Sequence, residues 1–396
     1  MSSELPDGWR LDSLSSVARN EDRRRVPLSS REREARRGSI PYWGANGVLD
    51  QIDDFLFDEP RVLVAEDGTV ETSDGKLVVH MATGRYWVNN HAHVLAATAG
   101  SDLRWLFYAL QGVVAAAYIS GSVQPKLSQR NMNRIVLPVP PPDEQRLIAS
   151  VLGGLDHKLE SNSRLARHLD ATAGAMAERW LDTHKEYVAV AEVADVVLGG
   201  TPSRGNADFW RDGSVPWIAS GAVNEFRIVT PTSLITEEAL ERSAAKRMPS
   251  GTPVVAITGA TCGKVSRLEI EACANQSVIG VVGGPRAPSN VLLFWLRRSI
   301  PELMKHKTGA AQQHVNKANV AALRFPDVTP DAVAEISAQI DPLLQACARQ
   351  LLEAQTLREV RDELLPKLVR GKIRVPLAEE IAEAGDEAAL EEARVA

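Results

Sequence analysis

The chain carries one pattern twice. Residues 121–138, Gly-Ser-Val-Gln-Pro-Lys-Leu-Ser-Gln-Arg-Asn-Met-Asn-Arg-Ile-Val-Leu-Pro, return without a gap at 309–326 as Gly-Ala-Ala-Gln-Gln-His-Val-Asn-Lys-Ala-Asn-Val-Ala-Ala-Leu-Arg-Phe-Pro. A second echo sets Gly38-Ser-Ile-Pro-Tyr-Trp against Gly213-Ser-Val-Pro-Trp-Ile. Both halves keep the order globular segment, then Pro-bounded helix. The chain is therefore a tandem duplication, with two related but non-identical working surfaces.

The helices repeat as closely as the motifs. Alternating steps of four and three from Ile148 reach Leu152, Leu155, Leu159, Asn162, Ala166, Leu169, Ala173, Met176 and Trp180. The same steps from Ile336 reach Ile340, Leu343, Cys347, Gln350, Ala354, Leu357, Arg361, Leu364 and Leu368. A 3.5-residue apolar period held this long predicts a coiled coil. Asn162 and Gln350 occupy the same step; in an antiparallel pair their amides would meet and penalise a slipped register. Arg361 interrupts the second seam with no evident partner. Gly153-Gly154 weakens the first helix by about 1 kcal/mol per glycine.

Between these signals the sequence reads as α+β. Arg61-Val-Leu-Val-Ala, Leu77-Val-Val-His, Pro253-Val-Val-Ala-Ile and Ser277-Val-Ile-Gly-Val-Val read as strands, and 103–112 and 291–305 as helices. The expected divisions are a first globular domain at 1–140, a helix at 141–185, a second globular domain at 186–328, a helix at 329–375 and an acidic, disordered tail at 376–396.

The 396-residue chain is 44% hydrophobic, enough for two or three cored domains. No stretch reaches the ~18–20 apolar residues that cross a bilayer, and no apolar leader follows the N-terminus, so a cytoplasmic protein is expected. The formal charge of −6 is local, because residues 376–396 hold seven carboxylates against Arg394. The body is neutral, with an arginine-rich run from Arg19 to Arg37 that reads as a solvated loop or as a phosphate-contacting arm. Three cysteines in no C-x-x-C pair indicate neither a disulfide framework nor a zinc site.

Catalytic chemistry is missing from the pattern. Thr258-Gly-Ala-Thr-Cys-Gly-Lys-Val lacks the first Gly and the Ser or Thr of a phosphate loop, and no G-x-G-x-x-G follows a strand. His91 and His93 have no third metal ligand placed by sequence and read as ordinary turn histidines. Nothing pairs a nucleophile with a base.

The order of motifs resembles the DNA specificity subunits of type I restriction–modification systems. The likeness is carried by Leu5-Pro-Asp-Gly-Trp, Gly121-Ser-Val-Gln-Pro-Lys-Leu and Leu137-Pro-Val-Pro-Pro-Pro-Asp-Glu-Gln-Arg-Leu-Ile in the first half. In the second it is carried by Gly200-Thr-Pro-Ser, Val215-Pro-Trp-Ile, Ala274-Asn-Gln-Ser and Leu364-Leu-Pro-Lys-Leu-Val-Arg-Gly-Lys-Ile. The resemblance implies two tandem target recognition domains, each followed by a long helix, the two helices packing as an antiparallel coiled coil and serving as a ruler. It also implies a non-catalytic reader of an asymmetric bipartite site in double-stranded DNA, bound by two methyltransferase subunits and, where present, motor–nuclease subunits. S-adenosylmethionine and ATP with magnesium would reside on those partners, and no cofactor on this chain. Thr329-Pro-Asp-Ala-Val-Ala-Glu-Ile departs from the pattern in lacking the Glu-Gln of Glu144-Gln145. The alternatives are the recognition portion of another DNA modification or defence system, and a coiled-coil adaptor without a DNA role.

Forked donors and amides on loops match base edges in the major groove. The candidate DNA contacts are Arg31, Arg36, Arg37, Arg85, Asn89 and Lys126 in the first domain. In the second they are Arg204, Asn206, Lys264, Lys305, Lys307 and Gln313. Tyr42, Trp43 and Trp217 are expected to fill core.

Overall fold

A computed structural model describes residues 5–121, 124–306 and 314–376. The first half runs β1 (Arg10–Ser13), α1 (Leu14–Val17), β2 (Ala18–Asn20), α2 (Ser30–Ala35), β3 (Arg37–Gly44), β4 (Gly47–Ile52), β5 (Arg61–Ala65), β6 (Val79–Ala82), β7 (Trp87–Val88), β8 (Ala92–Ala97), α3 (Leu103–Gln111), α4 (Gln129–Asn133), β9 (Val136–Val139) and α5 (Pro142–Asp182). The second half continues with β10 (Tyr187–Ala189), β11 (Asp195–Leu198), β12 (Val215–Ile218), β13 (Ser233–Ile235), α6 (Glu237–Glu241), β14 (Pro253–Ala256), β15 (Val265–Arg267), β16 (Cys273–Ala274), β17 (Val278–Val282), α7 (Ser289–Met304), α8 (Lys317–Ala321), β18 (Arg324–Pro326) and α9 (Pro330–Leu368).

The duplication holds strand for strand. The sheet ordered β2-β8-β5-β6 has its twin in β11-β17-β14-β15, and β4-β3-β7 in β13-β12-β16. In both small sheets the last pairing is parallel: Tyr42 opposite Trp87, and Trp217 opposite Cys273. A two-stranded pair closes each half, β1 with β9 and β10 with β18. The repeated motif supplies matching caps. Ser128 accepts the Asn131 N–H ahead of α4, and Asn316 accepts that of Asn319 ahead of α8, each satisfying an orphan donor of the first turn.

The chain divides into two compact units, Met1–His157 with Leu357–Ala396, and Lys158–Thr356. The division falls inside α5 and α9, because each helix end enters a globular core. In the first unit Ile148, Leu152, Leu365, Leu368 and Val369 pack with Trp105, Leu106 and Leu137. In the second, Ala173, Ala177, Val333, Ile336 and Ile340 pack with Val281, Leu292 and Phe325. Helix α9 ends at Leu368, short of the expected 375, and the motif beyond it turns back so that Gly371 abuts Pro6 and Trp9.

In each unit the two helices run antiparallel. Asp156 meets Arg361 at 2.9 Å and Glu144 meets Arg374 in the first; Lys158 meets Glu353 at 3.1 Å in the second. Every heptad position is buried or half-buried, from Ile148 to Trp180 and from Ile336 to Leu368. Arg361, expected to lack a partner, has three: the Asp156 carboxylate, the Asp362 carboxylate at 3.0 Å, and the Gln111 Oε1, which accepts from Nη2 at 2.8 Å. Asn162 is 2% exposed and its Nδ2 makes no hydrogen bond, so it donates none to the half-buried Gln350. Tyr42 and Trp217 are buried and Trp43 is half-buried. No described helix is long and apolar enough to cross a membrane.

Candidate nucleic-acid interface

In the second unit three motifs meet at the end of β11. Gly199 and Gly200 allow the approach, since a Cβ on Gly199 would lie 2.1 Å from the Asn275 carbonyl and one on Gly200 2.4 Å from Ala244. The Gly200 N–H donates to Ala274 O at 2.8 Å, the Trp217 indole to Gly200 O at 3.1 Å, and the Asn275 N–H to Ile218 O at 3.0 Å. Gly200-Thr-Pro-Ser, Val215-Pro-Trp-Ile and Ala274-Asn-Gln-Ser are thereby one structural knot. The Thr201 hydroxyl donates to Gln276, whose side chain is exposed.

Arg204 leaves this knot toward solvent. Its guanidinium lies 3.6 Å from the Trp210 ring centroid and 5.2 Å from that of Trp217, and the Trp210 indole donates to Ser203 O. The rings stiffen the side chain without neutralising its charge, which leaves its forked donors available. Gln276 was not among the expected contacts, although its motif was recognised. Asn206 accepts the Asp208 N–H and stabilises its own turn. Lys264 is exposed on a turn whose Gly263 touches Met304 at the end of α7, beside Lys305. Lys305 pairs with Glu302 at 2.5 Å. Lys307 and Gln313 lie outside the described residues.

The first unit builds the same corner from other residues. Asn89 is the counterpart of Asn275: its N–H donates to Trp43 O, and its Oδ1 accepts the His91 N–H at 2.8 Å, as Asn275 accepts that of Ser277. At 4% exposure Asn89 is a turn amide rather than the expected base reader. The exposed member of the pair is Asn90.

The arginine-rich run is folded, and much of its charge is already matched. Arg25 pairs with Glu66 at 2.7 Å, Arg33 with Asp50 at 3.0 Å, Arg36 with Asp53 and Asp54, and Arg24 with Glu21. A free phosphate-contacting arm is therefore not what the segment forms, nor is it an unstructured loop. Arg31 and Arg37 are exposed without an ion pair among the described residues. Arg85 is exposed 4.8 Å from the Phe55 ring centroid, and Lys126 pairs with Glu66 at 3.1 Å.

His93 is no ordinary turn histidine. Its ring is 1% exposed, with Nδ1 2.6 Å from Asp22 and Nε2 2.8 Å from the Leu127 carbonyl. Asp22, Glu66 and His93 bring ligand atoms close enough for a metal. Arg25 and Lys126, however, already offset both carboxylates. Burial is the largest influence on Asp22 and works against its charge, but the contacts to His93, the Val94 N–H and Asn20 together outweigh it and hold that carboxyl below its usual range. The cluster is an ion-pair network tying β2, β5 and β8 together. Burial pushes the Cys273 thiol up to about 11, consistent with a core residue.

A family model for the type I restriction modification DNA specificity domain matches residues 6–169 and again 183–352. A putative type I restriction enzyme specificity subunit, S.HindORF215P of Haemophilus influenzae, is 30% identical over 148 residues, 37% of this chain and 37% of that protein. The EcoR124I/EcoR124II specificity subunit of Escherichia coli is 20% identical over 215 residues, 50% of this chain and 52% of its own length. The matches thus span about a third to a half of these relatives. The crystal structure of a type I restriction–modification S subunit from M. genitalium superposes with a TM-score of 0.62 at 16% identity, covering 93% of this chain and 98% of that one. It shares the fold.

Proposed function

The chain belongs to the type I restriction modification DNA specificity domain family, and from that premise we propose that it is the target-reading, non-catalytic subunit of a type I restriction–modification complex. It reads a bipartite site in double-stranded DNA, one part with each recognition domain. The observation that carries this is the strand-for-strand duplication joined to divergence at the exposed corner: Arg204 and Gln276 in one domain, Asn90 in the other. One framework with two different reading surfaces suits an asymmetric site.

The proposal includes two methyltransferase subunits as partners, carrying S-adenosylmethionine, and motor–nuclease subunits carrying ATP and magnesium. Matching clefts support a partner that binds twice. In the first unit a cleft of about 600 Å³ beside β1 and β9 is lined by Leu11, Val114 and Val136, each more than half exposed, with Arg370 and Lys372 at its rim. In the second a cleft of about 440 Å³ beside β10 and β18 is lined by Tyr187, Arg298, Arg324 and His306. Leu11 and Tyr187 hold the same register position, opposite Pro138 and Pro326.

The test is a map of methylated adenines in the host genome with and without this gene. Disappearance of a bipartite motif supports the reading; an unchanged set of motifs refutes it.

A further inference from the structure

Asp170 sits on α5 at 6% exposure and holds two arginines from elsewhere in the second unit. Its Oδ1 accepts from Arg227 Nη2, and its Oδ2 accepts from Arg297 Nη1 at 2.8 Å. Arg297 belongs to α7. Arg227 precedes β13, and its side chain has no solvent exposure. On its other side Arg227 lies 3.7 Å from Glu269, which Arg267 grips at 3.0 Å. Arg167 of α5 adds a second hold, stacking 5.1 Å from the Phe226 ring centroid.

This network is poorly suited to stabilising a fold. Arg227 Nε and Nη1 have no hydrogen-bond partner, so buried charge is left imperfectly paired. Burial is also the leading influence on its neighbours, raising the Glu269 carboxyl and lowering the Arg267 guanidinium. Well-packed apolar side chains in place of such a group are often neutral or stabilising. Hydrogen-bonded charges accept fewer geometries than an apolar contact, because their bonds are directional. The device also has no twin: in the alignment that pairs Gly121 with Gly309, Asp170 falls on the exposed Arg358 and Arg297 on Ala109.

We propose that Asp170 is a positioning residue that fixes the second recognition domain in one orientation on α5, so that discrimination in one half of the target depends on it. The inference rests on the DNA-reading function proposed above. Arg227 and Arg297 act not on bases but by presenting the knot that carries Arg204 and Gln276.

The test uses the full chain with its partner subunits in the host, reading the methylated motif position by position. The apolar triple variant Asp170→Leu, Arg227→Met, Arg297→Met is compared with Asp170→Asn, which keeps the shape but removes the charge. We expect the triple variant to melt at or above the wild-type temperature while selectivity falls at least tenfold in one half of the motif only. Asp170→Asn should relax the same half several-fold, and it decides the matter alone if the triple variant does not fold. A folded variant that reproduces both halves, or that relaxes both equally, overturns the inference and leaves the DNA reading standing. A wild-type chain that directs no motif removes both.

Discussion

The Trp9 indole donates to the Glu144 carboxylate at 2.8 Å across 135 residues of chain. Arg374 holds the other oxygen of the same carboxylate. Next to it Gln145 accepts the Asp102 N–H at the start of α3 and donates to Pro140 O. Three family motifs from the beginning, middle and end of the chain thus share one buried joint, and their residue types answer to that joint. The second unit makes the corresponding connection with Asn290 of α7 donating to Ser337 of α9 at 2.9 Å. This is how α9 manages without a Glu-Gln pair.

Glu144→Ala is therefore expected to destabilise the first unit by about 1–3 kcal/mol, chiefly the cost of leaving the buried Trp9 indole donor without an acceptor. Urea denaturation measures the loss. Hydrogen exchange should quicken first at residues 369–376; uniform quickening through the unit would argue against a local joint.

The periodic parts of this fold were legible. The heptads of α5 and α9 and the helix Leu103–Gln111 bury their apolar positions on a regular step, and the strand Arg61–Ala65 carries a short unbroken apolar run buried on both faces. The reading surface was not. Arg36 and Arg37 are neighbours of one type, yet Asp53 and Asp54 neutralise the first and leave the second unmatched. Asn89 and Asn90 are likewise adjacent, and only a turn closed on His91 decides which is buried. Those outcomes depend on residues supplied by other strands, and no local pattern encodes them.

Arg204 and the pair Arg31 and Arg37 should differ in kind. Arg204→Ala is expected to cost about 1–3 kcal/mol on the target duplex and to relax one base position, with its salt dependence little changed. Arg31→Ala and Arg37→Ala should weaken all duplexes alike, and each should lower the slope of log affinity against log salt by about 1. Anisotropy titrations on target and scrambled DNA over a salt series separate the two. An Arg204 variant that keeps its selectivity would show the tryptophan-stacked guanidinium to be structural.

Asn162 is buried in a heptad position with its Nδ2 unsatisfied. Asn162→Leu should raise stability by about 1 kcal/mol, because it removes an unpaired donor and fills the seam. If the amide also guards register, the gain comes with a broader set of helix pairings, seen as new cross-links between cysteines placed on α5 and α9. A more stable variant with unchanged cross-links would assign the residue no register role.

Acid should loosen the first unit through Glu21. Burial opposes its charge, yet Arg19, Arg61 and Arg24 surround the carboxylate and hold its pKa at about 2, against an ordinary 4.5. A carboxyl depressed on folding stabilises the native state fully above its unfolded value. That stabilisation is lost as pH falls from 4.5 toward 2. Because the arginines on Glu21 are partly exposed, the contribution is roughly 2 kcal/mol after screening. Asp22 and Glu66, also held low, add to the same slope. Urea midpoints taken from about pH 6 to about pH 2.5 should fall more steeply for the wild type than for Glu21→Gln, which has no charge to lose. Parallel curves would mean that the three arginines confer no pH-dependent stability here.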